Sequence, residues 1–372
     1  MRVLHVTQPV DAGVAAVVLE LAVDQRARGW SVDIACPPSG WLVQQARDAG
    51  VPVHAWRATR SPGPRSVTEA VHLGRLVDRL APDVVHLHSA KAGLAGRLAI
   101  RARRTTVFQP HMWSFMSAGG PVGRAALTWE RLAARWTHQL LCVSDDELAI
   151  GRAAGVEAAA TVICNGVDTD RLRPSDRRAA RSRLDLAQGP IAVCVGRLVG
   201  LKGQDQLLTA WPDILARVPD ARLVLVGDGP MGDTWRAGHP VATHPSVVWT
   251  GHQEAPSDYY AAADVVVLPS RAEGMALVPL EAMSCGRPVV AFDVSGARQS
   301  VGDAGAILPP GDLASLAAAV AQRLADPALA AAEGRIGRQR AVQLFDRRRV
   351  TDQVAALVSR LAGETTASGS GR

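Results

Sequence analysis

"VCVGRLVGLKGQDQLL", residues 193–208, reads as an apolar strand, a glycine-bounded turn and the start of a helix. The turn carries Lys202, one of only two lysines in the chain; the other is Lys91, and the remaining 39 of the 41 basic residues are Arg. A glycine at the carboxyl end of a strand lets backbone approach a ligand closely. A compact ammonium on a flexible stem suits a point contact with phosphate oxygens, whereas a planar guanidinium fits a fork. Gly196, Arg197 and Lys202 therefore mark a candidate polyanion site, with two cations five residues apart on one loop. The turn lacks the Ser or Thr after Gly-Lys that a nucleoside-triphosphate loop carries.

On both sides of this stretch strands alternate with helices. Upstream, "RVLHVT" precedes a helix in which Val14, Val17, Val18, Leu21 and Ala22 recur at helical spacing and which stops at Gly29. "SVDIAC", "VPVHAW", "DVVHLH", "TTVFQP" and "QLLCVS" continue the strands, with helices at 40–49, 66–80 and around 121–137. Downstream, strands at 191–196, 222–227, 246–249, 264–269 and 288–292 alternate with helices at 203–217, 230–237, 256–262 and 276–284, and helices fill 312–361. Such alternation predicts right-handed βαβ units and parallel sheets. The pattern weakens over 166–189, which is polar and reads as a linker. The expected organisation is a Rossmann-like acceptor-side domain over 1–170 and a Rossmann-like nucleotide-binding domain over 171–345. A helix over 346–362 returns to the first domain, and a structureless tail fills 363–372.

Composition bounds the function. Of 372 residues, 48% are apolar and 20% charged, with a net charge of +6, as in a globular protein. Five scattered cysteines, no leader before the first strand and no apolar run long enough to span a bilayer lead to the expectation of a cytoplasmic protein, peripheral to a membrane at most. No acid falls between Asp83 and Glu130, while Lys91, Arg97, Arg101, Arg103, Arg104 and Arg124 do. That stretch suits an anionic surface or a diphosphate, or is a solvated helix face. Nucleic acid is not expected, because no aromatics interleave with the cations in a binding module. His86 and His88 alternate on one strand face and raise a metal site, but the sequence offers no third ligand and none is expected.

A second motif lies in "PSRAEGMALVPLEAMSCGRPVVAFD", residues 269–293. Glu273 closes the loop after a strand, Gly274 frees the turn, and Pro279 fits a first helical turn. The backbone amides of Met275, Ala276 and Leu277 would then issue from a helix start, where anions bind. Glu281 stands among apolar neighbours and needs hydroxyl partners. Alternatively, both carboxylates simply complement the helix dipole.

"GRLVGLKG", the Glu273-to-Glu281 spacing, "ADVVVLPS", "NGVDTDRLRP" and "HLHSAKAGLAGRLA" together resemble glycosyltransferase family 4, over nearly the whole chain and in order. The resemblance implies the GT-B fold: two doubly wound Rossmann-like domains facing across a cleft, with a C-terminal helix crossing back to the first. It also implies retaining, metal-independent transfer of a sugar from a nucleotide-diphosphate sugar, with no cofactor. By that resemblance Arg197 and Lys202 hold the diphosphate, Glu273 the donor sugar hydroxyls and Glu281 the ribose, while His111 in "VFQPHMWSF" lies near the transferred sugar. His111, Glu273, Arg197 and Lys202 are the expected catalytic group. Gly196, Gly274, Met275, Ala276 and Leu277 complete the donor side, and Gly13, Lys91 and Trp113 the acceptor side. The chain departs from the family in "DAGVAA", where Gly13 stands without a second glycine, in Ala276, and in Gln299, where many members carry Glu.

The expected donor is a UDP-sugar. The expected acceptor is a glycan or lipid-linked sugar of a cell-surface polysaccharide or glycolipid, with a small glycoside or natural product as the alternative. Trp113, Phe115 and Met116 beside His111 suit either a membrane contact or an acceptor pocket. Two rival classes stand beside this reading, the first an NAD-dependent dehydrogenase. "GDGPMG", residues 227–232, matches the dinucleotide fingerprint, but follows the second strand of its domain rather than the first. A two-lobed sugar-binding protein without catalysis is the other.

Overall fold

The structure, a computed structural model, describes residues 1–117 and 119–369. The chain divides into two compact units, Met1–Asn165 with Arg348–Arg372, and Gly166–Arg347. Each is a parallel α/β sheet, as the strand–helix alternation predicts.

The first unit holds β1 (Arg2–Thr7), β2 (Ser31–Cys36), β3 (Val53–Ala55), β4 (Val84–His88), β5 (Thr105–Gln109), β6 (Gln139–Cys142) and β7 (Ala160–Val162) in the order β3-β2-β1-β4-β5-β6-β7. The second holds β8 (Ile191–Val195), β9 (Arg222–Val226), β10 (Val247–Gly251), β11 (Val265–Leu268), β12 (Val289–Phe292) and β13 (Gly305–Leu308) in the order β10-β9-β8-β11-β12-β13. Both sheets reverse strand order once, between β1 and β4 and between β8 and β11. In open sheets of this kind the crevice at the carboxyl ends of those two strands is where ligands bind.

Helices cover both faces, so the central strands are apolar runs rather than alternating ones. All five residues of β4 and of β5 are buried. In the first unit one core gathers Leu4, Val6, Val85, Leu87 and Phe108, and another gathers Val32, Ile34 and Cys36 with Ala15, Val18 and Ala22 of the helix Ala12–Ala27. That helix has the apolar face that its spacing predicted. The second unit's core packs Leu223, Leu225, Val267 and Phe292 against Trp211 and Leu316. All five cysteines are free; burial pushes the thiols of Cys36, Cys194 and Cys285 up to about 12. Among the described residues no helix is long and apolar enough to cross a membrane.

Three sequence expectations change. The presumed linker is part of the second unit: Val167 bridges to Asp346, and the helix Arg177–Arg183 is fixed by Arg181, whose Nε donates to the Ala262 carbonyl at 2.9 Å and whose guanidinium pairs with Asp264 at 2.7 Å. Guanidinium groups share the anchoring with a few apolar residues, Ala180 packing with Ala261 and Ala262 and Leu172 being buried. The helix Arg347–Gly369 runs through much of the stretch expected to be structureless, because extending a formed helix costs far less than nucleating one; the rest of that stretch, 370–372, lies outside the described residues. Its first turns join the first unit through Thr351, which donates to Asp24 at 3.0 Å, and Asp352, which pairs with Arg28. Finally, β7 and β13 escaped the sequence reading because they are short and only half-buried, which leaves no strong apolar signature.

Ala12 opens the first helix at φ +63°, a left-handed conformation that costs a non-glycine residue about 1–2 kcal/mol. This is where the sequence lacks the second glycine. Ala12→Gly should stabilise the first unit by about 0.5–1 kcal/mol, after the entropy that glycine adds to the unfolded chain, read as a higher denaturant midpoint.

Candidate functional site

In the second unit the two loops that leave β8 and β11 meet at the point where strand order reverses. Gly203 has φ +69°, and a Cβ placed on it would lie 1.9 Å from the Pro269 carbonyl oxygen, so only glycine allows this backbone contact. Gln206 donates to that same carbonyl at 2.9 Å. Arg271 bolts the loops together, forking onto Asp205 at 2.6 and 2.8 Å and reaching the Gly200 carbonyl at 2.6 Å. Its own amide donates to Leu201 O at 2.8 Å. Gln204 caps the turn through the carbonyls of Gly196 and Arg197, each at 3.3 Å.

This scaffold brings two expected residues into contact. Lys202 Nζ lies 2.6 Å from Glu273 Oε1, which also accepts from Ser270 Oγ at 2.7 Å. The pair is part-buried, with 29% of the Lys202 side chain and 11% of the Glu273 side chain exposed. The sequence reading assigned the two residues to different parts of a ligand; here the carboxylate also holds the ammonium in place. Arg197 is exposed and has no ion pair with the described residues. Past Gly274 and Met275, both buried, the helix Leu277–Ser284 starts at Ala276 with no side-chain cap. Its first amides, from Leu277 onward, have no side-chain cap. Glu281 sits a turn further on and accepts from the Tyr260 hydroxyl. Burial raises its pKa, opposed by that hydrogen bond and by the charge of Arg171.

The first unit carries its own cluster at the carboxyl ends of β1, β4 and β5. Four non-glycine residues there have positive φ: Ala12 (63°), Ser89 (70°), His111 (58°) and Met112 (150°). Strain of about 1–3 kcal/mol per residue persists only where the surroundings impose it. Around His111 they do. The Trp113 indole donates to the Glu147 carbonyl at 2.6 Å, and Ser114 Oγ donates to Glu130 at 2.9 Å. His111 Nε2 lies 3.1 Å from His88 Nδ1; His88 Nε2 lies 3.0 Å from His5 Nδ1; His5 Nε2 lies 2.9 Å from Gln25 Oε1. His86 stacks on His88 with ring centroids 4.0 Å apart. Burial lowers all four imidazole pKa values, His5 to about 4 and His111 to about 3, so the rings are neutral near pH 7.

Two acceptor-side expectations are corrected. Lys91 is 4% exposed and pairs with Glu69 at 2.6 Å, donating also to Ser66 at 2.9 Å and to the Ser61 carbonyl at 3.2 Å. Its protons are taken up inside the unit. Trp113 is fully buried, stacked on Phe115 with centroids 5.6 Å apart, and holds the backbone rather than facing an acceptor. Arg97 of the acid-free stretch is likewise internal, paired with Glu130 at 2.6 Å and lying 3.8 Å over the Phe108 ring. The supposed basic surface thus loses two of its six cations to the core. Gly13 is exposed beside the strained Ala12.

The argument against a metal also changes, because a third imidazole is present. His5 is in register with His86 across β1 and β4, and His5, His86 and His88 bring ring nitrogens within 4.8 Å of one another. Hydrogen bonding accounts for the nitrogens of His5 and His88; only His86, facing Gln109, is left without a partner. His5, Gln25, Ser270, Arg271, Asp205 and Tyr260 were missed by the sequence reading because their roles depend on pairings between distant segments. Glu147 is placed from two sides, its amide donating to the N-cap Ser144 Oγ at 3.1 Å and its carboxylate accepting from the Val143 amide at 2.8 Å; the Ser-x-x-Glu spacing at 144–147 is the signal that could have found it.

A family profile described as Glycosyltransferase Family 4 matches residues 12–171, and one described as Glycosyl transferases group 1 matches residues 189–326. The chain belongs to glycosyltransferase family 4. A GDP-mannose-dependent alpha-(1-6)-phosphatidylinositol monomannoside mannosyltransferase of Mycolicibacterium smegmatis is 39% identical over 222 residues, 56% of this chain and 58% of that protein. A D-inositol 3-phosphate glycosyltransferase of Geodermatophilus obscurus is 36% identical, over 56% of this chain and 48% of that protein. The matches thus span about half the length of these curated relatives. Among solved structures, a sucrose-phosphate synthase of Thermosynechococcus elongatus superposes with a TM-score of 0.84 over 98% of this chain and 100% of its own, at 23% identity. The fold is GT-B.

Glu147 gives a pH test of how the His111 segment is buttressed. Burial raises its pKa from 4.5 to about 7, opposed by the Val143 amide. The fold therefore disfavours its charge: the cost is absent below about pH 4.5, grows as pH rises to about 7 and is constant above. Glu147→Gln, which keeps the acceptor for Val143, should stabilise the first unit by about 3 kcal/mol at pH 8 and by much less at pH 5. Denaturant melts at the two pH values measure the difference.

Proposed function

We propose that the protein is a retaining glycosyltransferase that moves a sugar from a nucleotide-diphosphate sugar to a hydroxyl acceptor without a metal. The observation that carries this is the Lys202–Glu273 contact at the switch point of the second sheet, beside exposed Arg197 and an uncapped helix start. Such a site can neutralise the charge that grows on a leaving diphosphate. Preorganised donors of this kind are worth about 10²–10³ in rate each. Glu273, half-occupied by Lys202 and Ser270, keeps lone pairs for sugar hydroxyls, and Glu281 with Tyr260 suits a ribose hydroxyl.

The UDP-sugar expected from sequence gives way here to GDP-mannose, because the relative at 39% identity is named for that donor. Its name also supports a glycolipid acceptor carrying phosphatidylinositol. The loss of Lys91, Arg97 and Trp113 from the surface weakens the case that this stretch itself lies on a membrane.

Purified protein should transfer mannose from GDP-mannose to a phosphatidylinositol mannoside, read as a mass increase of one hexose, and should do so in the presence of EDTA. Lys202→Ala and Glu273→Ala should each lower kcat by about 10²–10³. Faster transfer from UDP-glucose than from GDP-mannose would overturn the donor assignment. Near-normal turnover in Lys202→Ala would overturn the site.

A further inference from the structure

The residues beneath His111 do more than pack. Gln25, on the helix Ala12–Ala27, is 1% exposed; His5 and His88 are fully buried; His111 is half-buried at the strained turn after β5. The four side chains run in one line, Gln25 Oε1 to His5 Nε2 at 2.9 Å, His5 Nδ1 to His88 Nε2 at 3.0 Å, and His88 Nδ1 to His111 Nε2 at 3.1 Å. A neutral imidazole has one N–H and one lone pair, so each ring that donates on one side must accept on the other. The direction of the line is therefore fixed from one end.

Gln25 sets that end. Its carbonyl oxygen only accepts, so His5 donates from Nε2 and accepts at Nδ1. His88 must then donate from Nε2 and accept at Nδ1. His111 in turn must donate from Nε2, which leaves Nδ1 bare. That nitrogen makes no hydrogen bond to the described residues and is the ring atom left to meet a ligand. We propose that Gln25, His5 and His88 form a directional hydrogen-bond chain that holds His111 as its Nε2–H tautomer, presenting the Nδ1 lone pair to a ligand hydroxyl. The contact with a sugar hydroxyl rests on the glycosyltransferase reading above; the tautomer does not.

The chain implies a division of labour. His111 touches the ligand. Gln25, His5 and His88 are positioning residues that act through it, across the two strands where the first sheet reverses. The lowered pKa values fit the same picture, because a proton added to Nδ1 of His5 or His88 would set two N–H groups face to face and break the line, and one added to His111 would take up its free lone pair. A bare Nδ1 favours a partner that donates, which is a hydroxyl; the opposite tautomer would favour an acceptor such as a phosphate or carbonyl oxygen.

The full chain labelled with ¹⁵N-histidine tests this without a variant. In two-bond ¹H–¹⁵N spectra at neutral pH, with the His111 signals assigned from their loss in His111→Asn, Nδ1 should resonate as an unprotonated nitrogen and Nε2 as a protonated one. A protonated Nδ1 would mean that the Gln25 amide faces the other way and would overturn the proposal. Gln25→Met and His5→Phe, which cut the chain at two points, should each give His111 a mixture of tautomers. They should also lower kcat about tenfold while leaving the KM for the nucleotide sugar within twofold. His54→Gln, elsewhere in the same sheet, should do neither. An unchanged tautomer in both chain variants would overturn the proposal. A changed tautomer with unchanged kcat would overturn the claim that His111 meets the reacting hydroxyl. If the tautomer behaves as stated but no donor supports transfer, the chain stands and the functional reading fails.

Discussion

The contact between Gly203 and the Pro269 carbonyl is the constraint on which the second unit's site depends. It exists because β8 and β11 are neighbours at the one place where strand order reverses, and because position 203 carries no side chain. Once the two loops touch backbone to backbone, the Arg271–Asp205 fork and the Gln206 bond fix their register and bring Lys202 to the Glu273 carboxylate. The ion pair is therefore a consequence of topology. A flexible cation held over a loop would lose side-chain entropy on binding a phosphate; one already held at 2.6 Å by a carboxylate has lost most of it beforehand.

The chain's two lysines do comparable things in different surroundings. Each pairs with a glutamate at 2.6 Å, and the difference lies in burial. Around Lys91 the remaining donors are consumed by Ser66 and the Ser61 carbonyl, so the group is a closed internal pair. Around Lys202, 29% of the side chain stays accessible, so an anion can join the pair. In the first unit the corresponding edge of the sheet stores strain at Ala12, Ser89, His111 and Met112, held by Trp113, Glu130 and Glu147. The two clusters thus use opposite means, an ion pair on a tight glycine turn in one and strained backbone over buried polar groups in the other.

How much of this was legible in the sequence follows from the range of the interactions. Strand and helix periods are local, so the two parallel sheets and the helix Ala12–Ala27 were readable from spacing. Lys202 and Glu273 were legible as unusual residues after strands, and His111 only through the family resemblance. Their neighbours were not: Asp205 and Arg271 are 66 residues apart, and His5 and His88 are 83 apart. Spacing carries no information at such separations. The same limit misplaced Lys91 and Trp113, since a cation or an aromatic beside a motif reads as surface until its buried partner is known. The polar 166–189 segment misled for a related reason: it is held by guanidinium–carboxylate pairs and by a few apolar residues, Val167, Leu172 and Ala180, too irregularly spaced to show a period.

The most direct measurement is the affinity for GDP alone, by titration calorimetry, in the wild type, Lys202→Met and Glu273→Gln. If Lys202 grips the diphosphate and Glu273 otherwise meets only the sugar, which GDP lacks, Lys202→Met should weaken GDP binding at least about thirtyfold. Glu273→Gln, whose amide oxygen still accepts from Lys202 and holds it in place while the competing negative charge is gone, should leave it equal or tighter. Binding within threefold of the wild type in Lys202→Met, or a large loss in Glu273→Gln, would contradict the account.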